Sequence, residues 1–126
     1  MKKVVKVFIC SPYGDHNSLS TRRANVNRQI DIAFTLTQAG YLPLVPLFNH
    51  YMAQRHPGLS REFWLEQSSK LLTLADAVFI PLAFENKYTA GMAREVIQAE
   101  KAGIPIVYTI NKLRNLFDYV DKGDKF

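Results

Sequence analysis

The chain has 126 residues, 48% of them hydrophobic, and 16 Lys and Arg against 11 Asp and Glu leave a net charge of +5. That length suits one domain with its own core. The single cysteine excludes an intramolecular disulfide framework and suits a reducing cytoplasm, and no run is long and apolar enough for a membrane span. Lys6 interrupts the apolar run that follows Lys2 and Lys3, which argues against a signal peptide. The positive balance favours anionic partners. Basic residues are spread along the chain, and the tail from Lys112 to Lys125 alternates basic with acidic residues, so a nucleotide is expected before nucleic acid.

In chain order, Val4 to Cys10 is rich in β-branched residues and apolar on both faces, which predicts a central first strand. Ser11-Pro12-Tyr13-Gly14-Asp15 is turn chemistry, and the loop is expected to continue to Ser20. A helix over 21–39 follows, with Val26, Ile30, Ala33, Phe34 and Thr37 as its inner stripe and Gly40 after its end. Tyr41 to Val45 reads as a short second strand closed by Pro46. Leu47 to Leu59 reads as a loop carrying Phe48, His50, Tyr51 and His56. Ser60 reads as an N-cap with Glu62 in the first turn of a helix that runs to about Leu74. Phe63, Trp64, Leu71, Leu72 and Ala75 are expected to face inward, and Glu62, Glu66 and Lys70 outward. Ala77 to Leu82 reads as a third strand. The next helix begins near Gly91 with Thr89 as its cap, and Met92, Val96 and Ala99 keep the helical period. Gly103 then closes it, Ile104 to Ile110 is a fourth strand, and 111–120 is a last short helix.

Strands alternating with helices at this spacing predict an α/β fold: a single Rossmann-like or flavodoxin-like parallel sheet, order 2-1-3-4, with helices on both faces. Ligands in such sheets bind beyond the C-terminal strand ends, where the strand order reverses. That rule brings Ser11-Pro12-Tyr13-Gly14 and Tyr88-Thr89-Ala90-Gly91 to face each other across one site. Glu95, one turn above Gly91, is then a candidate catalytic carboxylate beside anion-binding N–H groups; the alternative reading is a solvated surface glutamate. No GxGxxG follows strand one and no GxxxxGK[ST] occurs, so neither a dinucleotide fingerprint nor a P-loop is present. His16, His50 and His56 lack metal-ligand spacing, and no metal or cofactor is expected. Cys10, without an evident base, reads as a small buried residue.

Two constellations stand above this background, Ile9-Cys10-Ser11-Pro12-Tyr13-Gly14 and Thr89-Ala90-Gly91-Met92-Ala93-Arg94-Glu95. With them the chain resembles the nucleoside 2-deoxyribosyltransferase-like superfamily, closest to its small phage and bacterial branch with an ICSPY opening and a GMxxE helix. The resemblance runs from Lys6 to Tyr108 and includes Gly40-Tyr41-Leu42-Pro43, Leu74-Ala75-Asp76-Ala77 and Lys101-Ala102-Gly103-Ile104-Pro105. It implies cleavage or exchange of the N-glycosidic bond of a nucleoside or its 5′-monophosphate, with Glu95 as nucleophile. An oxocarbenium-like transition state calls for such a carboxylate, which can form a covalent glycosyl-enzyme. Six residues before Glu95 the transferases carry an aspartate and the monophosphate hydrolases a serine; Thr89 resembles the second group. A hydroxyl at a helix N-terminus suits a phosphate, whereas a carboxylate there repels it. The resemblance further implies a homo-oligomer.

Two positions depart from the family. Ser68 stands where an assisting aspartate is found, and Phe8 where strand one often carries tyrosine; Asp76 matches a structural acid at the strand entrance. Acid–base help would then fall to Tyr13 or Glu66. The expected site is therefore Glu95 with Ser11, Pro12, Tyr13, Ser68, Thr89 and Gly91, and with Phe48, His50 and Tyr51 over the base. The competing readings are a non-catalytic nucleotide-binding or sequestering domain and a purely structural domain.

Overall fold

A computed structural model describes residues 4–14 and 17–124; Asp15, His16 and Lys125, placed above in the first turn, a loop and the tail, lie outside the described residues. The strands are β1 (Lys6–Ile9), β2 (Leu42–Leu44), β3 (Ala77–Phe79) and β4 (Ile106–Val107). The helices are α1 (Leu19–Gln38), α2 (Asn49–Arg55), α3 (Arg61–Leu72), α4 (Ala90–Ala102) and α5 (Ile110–Asp124). All strand pairings are parallel and the order is β2-β1-β3-β4, with β1 inside the sheet as its doubly apolar sequence requires. Phe8 pairs with Leu44 on one side and Val78 on the other.

Alternation along β1 divides the core. Val7 and Ile9 pack with Ala33 and Leu36 of α1 and Leu113 of α5. Phe8 and Cys10 pack with Leu72 of α3 and with Met92 and Ala99 of α4. Helices α1 and α5 thus cover one face and α3 and α4 the other. The chain leaves β1 towards β2 and leaves β3 towards β4, so the switch point lies between the C-terminal ends of β1 and β3. Asp76 acts at the opposite end: its carboxylate accepts from Lys6 N at 2.8 Å and lies 3.5 Å from Lys6 Nζ. This is the structural acid expected at the strand entrance.

Side-chain caps define the helix starts. Ser18, Ser60 and Thr89 each accept a hydrogen bond from the backbone N–H three residues on, at 3.2, 3.1 and 3.2 Å. Ser18 starts α1 two residues before the expected position, and Gly103, with φ of 72°, closes α4 in the left-handed conformation.

Three expectations require correction. The inner stripe of α1 is Val26, Gln29, Ala33 and Leu36, joined by Asn25, whereas Phe34 is 62% exposed and Thr37 faces solvent. The stripe follows the i, i+3, i+7, i+10 pattern, and polar Gln29 concealed its phase. The segment after β2 is not a loop: a 3-10 turn at Pro46–Phe48 leads into α2, with proline at the first turn position. Phe63 at the start of α3 is exposed, with its ring edge-on to Trp64 at 5.1 Å.

Candidate active site

At the switch point the backbone leaves β1 into a turn whose shape side chains of α1 determine. Gln29 is fully buried. Its amide donates to Ile9 O at 3.2 Å and to Ser11 Oγ at 2.8 Å, while its carbonyl accepts from Leu47 N at 2.9 Å. One side chain therefore ties the end of β1 to the turn after β2. Ser11 Oγ accepts from Gln29, so its own proton is left to donate elsewhere. Asn25 donates to Tyr13 O at 3.0 Å and fixes the next residue pair of the turn. Gly14 has φ of 82°, a left-handed conformation that favours glycine, and a Cβ there would have to displace the Asn17 side-chain amide.

Across the crevice, α4 opens at Thr89. Its hydroxyl caps Met92 N, and Ala93 N donates to Thr89 O at 2.9 Å. The N–H groups of Ala90 and Gly91 belong to the first turn, where a helix has no intrahelical acceptor for them. A Cβ at Gly91 would meet nothing closer than Thr89 Oγ1 at 4.0 Å, so the space over this turn is open.

Between the two walls lies a cavity of about 580 Å³. Of the expected site residues it is lined by Ser11, Tyr13, His50, Ser68, Thr89, Gly91 and Glu95. Pro12, Phe48 and Tyr51 are not among the lining residues. Phe48 is 52% exposed and lies against Tyr51, whose hydroxyl donates to Asn27 Oδ1 at 2.9 Å. These two form an outer layer behind His50, because α2 turns only one side towards the cavity. Glu66, the other acid–base candidate, is exposed and pairs with Lys70 at 4.0 Å, away from the cavity. Phe8 is fully buried in the core on the α3–α4 side and does not line the site.

Glu95 is half-buried, open to the cavity on one side. Burial pushes its carboxyl up to about 7, against the opposing effects of the adjacent Cys10 thiol and the charge of Arg94. It is thus not a solvated surface glutamate. Cys10 is itself fully buried, and burial followed by the neighbouring Glu95 charge pushes its thiol far above the usual range, so it remains protonated. Ser68 accepts a hydrogen bond from Asn49 Nδ2 at 3.3 Å. Tyr13 Oη and His50 Nδ1 are 2.6 Å apart, with the rings edge-to-face. His50 is lowered by burial first and by the charges of Arg22 and Arg23 second, so its ring is neutral at pH 7.

Sequence reasoning missed Arg22, Asn49, Arg61 and Trp64, which also line the cavity. Trp64 was expected in the core and is half-buried at the cavity instead. The arginines did carry a signal. Arg22 lies near the N-terminus of α1 and Arg61 is the first residue of α3, where the helix dipole disfavours cations. A local rule broken at two helix starts marks a place where another charge matters. Among the described residues no group of three or more His, Cys, Asp and Glu side chains could hold a metal ion, and no helix is long and apolar enough to cross a membrane.

Fold and site together define a parallel α/β domain with a largely apolar cavity at its switch point, which also carries Arg22, Arg61 and one carboxylate of raised pKa. The chain belongs to the family described as Domain of unknown function (DUF7768), whose model matches residues 5–109. That match takes in all four strands and every cavity residue named above, and it stops just before α5. No curated protein matches the chain.

Proposed function

We propose that this protein is an N-glycosidase, hydrolase or deoxyribosyltransferase, acting on a nucleoside or nucleoside 5′-monophosphate, with the fold of the nucleoside 2-deoxyribosyltransferase-like superfamily. The observation that carries the reading is Glu95 sharing one cavity with the Thr89–Gly91 helix start and Ser11. About 580 Å³ is ample for a mononucleotide. The α4 N-terminus and Thr89 hydroxyl suit the 5′-phosphate, and Arg22 and Arg61 make the cavity attractive to an anion.

In the first step a Glu95 carboxylate oxygen bonds to C1′ as the C1′–N bond breaks, and its electron pair leaves on the base. Water, or the nitrogen of a second base in a transferase, then attacks C1′. The C1′–oxygen bond to Glu95 breaks, the carboxylate is restored, and the proton of the attacking group ends on the departed base. Only ionised Glu95 attacks, so base release should rise with pH through about 7. The test is free-base release from a panel of nucleosides and monophosphates. Glu95→Ala should abolish release and leave nucleotide binding largely intact, because the nucleophile acts in the transition state and not in ground-state binding. Release that persists in Glu95→Ala removes the nucleophile assignment.

A second reading, a non-catalytic nucleotide-binding or sequestering domain, is favoured by one feature: Ser68 and buried Phe8 supply neither the carboxylate nor the hydroxyl found at those family positions. Nucleotide binding without release from any substrate would select it. The resemblance also carries a homo-oligomer, checked by sedimentation, and the single cysteine suits a reducing cytoplasm, in which Cys10 stays a thiol.

A further inference from the structure

Among the described residues, the buried side-chain nitrogens and oxygens without a hydrogen-bond partner are Arg22 Nε and His50 Nε2. Both residues line the cavity, and His50 is only 5% exposed. Buried donors are almost always paired, and each exception needs an explanation. We propose that Arg22 and His50 form a base-reading wall, which holds the nucleobase by its acceptor atoms and selects oxo bases over amino bases. This rests on the glycosidase reading for the placement of the base.

The chemistry of the two nitrogens supports this role. The guanidinium Nε–H is always a donor. In the tautomer that lets Tyr13 donate its O–H to Nδ1, 2.6 Å away, the neutral His50 ring carries its own proton on Nε2, and this tautomer is part of the proposal. Both orphaned atoms are therefore donors, and what satisfies them is a pair of acceptors. The edge of an oxo base offers a carbonyl oxygen where an amino base offers an N–H group, which would meet these donors with another donor. Arg22 is half-buried, so its guanidinium retains room to turn towards a ligand.

The topology places the wall on the correct side. Glu95 and Thr89 belong to α4, on the sheet face that α3 shares, and Arg22 belongs to α1 on the other face. His50 is held to the α1 side: its partner Tyr13 is bound by Asn25, and its neighbour Tyr51 by Asn27. A carboxylate that displaces a base at C1′ attacks from the side opposite the base. With Glu95 below C1′ and phosphate at the start of α4, the base points across the crevice to Arg22 and His50.

The experiment uses two nearly isosteric pairs, deoxyinosine against deoxyadenosine monophosphate and deoxyuridine against deoxycytidine monophosphate. Calorimetric titration is carried out on the Glu95→Gln protein, so that no turnover interferes, with base release followed on the wild type. The oxo member of each pair should bind roughly tenfold more tightly. Arg22→Leu and His50→Phe, each in the Glu95→Gln background, should erase that preference. His50→Phe should leave 2-deoxyribose 5-phosphate binding unchanged, while Arg22→Leu should weaken it and both members of each pair alike through the lost charge. If His50→Phe does not fold, Arg22→Leu, at a half-exposed position, carries the comparison. Equal affinity within both pairs, or a preference that survives Arg22→Leu, overturns the wall. Base release without an oxo preference overturns the wall alone and leaves the glycosidase standing. An oxo preference without any release overturns the glycosidase and retains the wall as the recognition surface of a binding protein.

Discussion

Glu95 is the residue at which burial and chemistry meet. Its carboxyl titrates near 7 instead of its usual 4.5, because ionising it in the folded protein means charging a group largely withdrawn from water. A folded-state pKa raised above the unfolded value stabilises the protein at low pH, and this contribution is lost as pH rises from about 4.5 through about 7. Glu95→Gln mimics the protonated acid at every pH. Its unfolding free energy should match wild type at pH 4 and exceed it by on the order of 3 kcal/mol at pH 8. Denaturant melts at the two pH values decide this, and an equal gain at both would mean that the effect is not electrostatic. The neighbouring Cys10 thiol, whose Sγ donates to Met92 O at 3.9 Å, favours the ionised form of Glu95 and so limits the shift.

At the scale of elements, the site is assembled from helix starts. Ser60 and Thr89 cap α3 and α4 with the same bond, a backbone N–H donating to a hydroxyl at 3.1 and 3.2 Å. Removing either hydroxyl should therefore cost about 1 kcal/mol of stability. The two differ in what surrounds them: Ser60 is exposed and does not line the cavity, whereas Thr89 does. Ser60→Ala should leave monophosphate affinity unchanged, while Thr89→Ala should weaken it and leave binding of the free nucleoside nearly as before. Equal losses for nucleoside and monophosphate in Thr89→Ala would count against a phosphate subsite on α4. Helix α2 shows the reverse case, an element whose function is to bridge: it brings Asn49 to Ser68 of α3 and His50 to Tyr13 beside α1.

For the whole molecule, β1 couples the core to the site. Phe8 is fully buried between β2 and β3 and packs on the α3–α4 side, with no opening to the cavity. The tyrosine found at this position in the superfamily the sequence resembles cannot simply be introduced there. Phe8→Tyr would bury a hydroxyl among Leu72, Val78 and Met92, which offer it no side-chain acceptor. It should cost roughly 1–3 kcal/mol in urea unfolding without raising base release. A Phe8→Tyr protein that is as stable as wild type and faster would show that the hydroxyl does find the site.

The four strands, every helix except α2, the 2-1-3-4 order and the meeting of Ser11, Tyr13, Thr89 and Glu95 at one crevice were legible in the amino-acid sequence. They follow from local quantities: apolar run length, caps three residues before their partners, and the rule that parallel crossovers place loops at strand ends. What only the tertiary structure decided lies on polar residues whose role depends on a distant partner. Gln29 reads as surface in a periodic pattern, yet it is buried because Ile9, Ser11 and Leu47 arrive around it from other segments. Trp64 and Phe63 are adjacent aromatics of equal hydrophobic weight, and only the packing of α3 turns one to the cavity and the other to solvent. Arg22 and His50 stand 28 residues apart, and nothing local links them. Charge and burial at a point are sums over neighbours in space, and those neighbours exist only once the chain has folded.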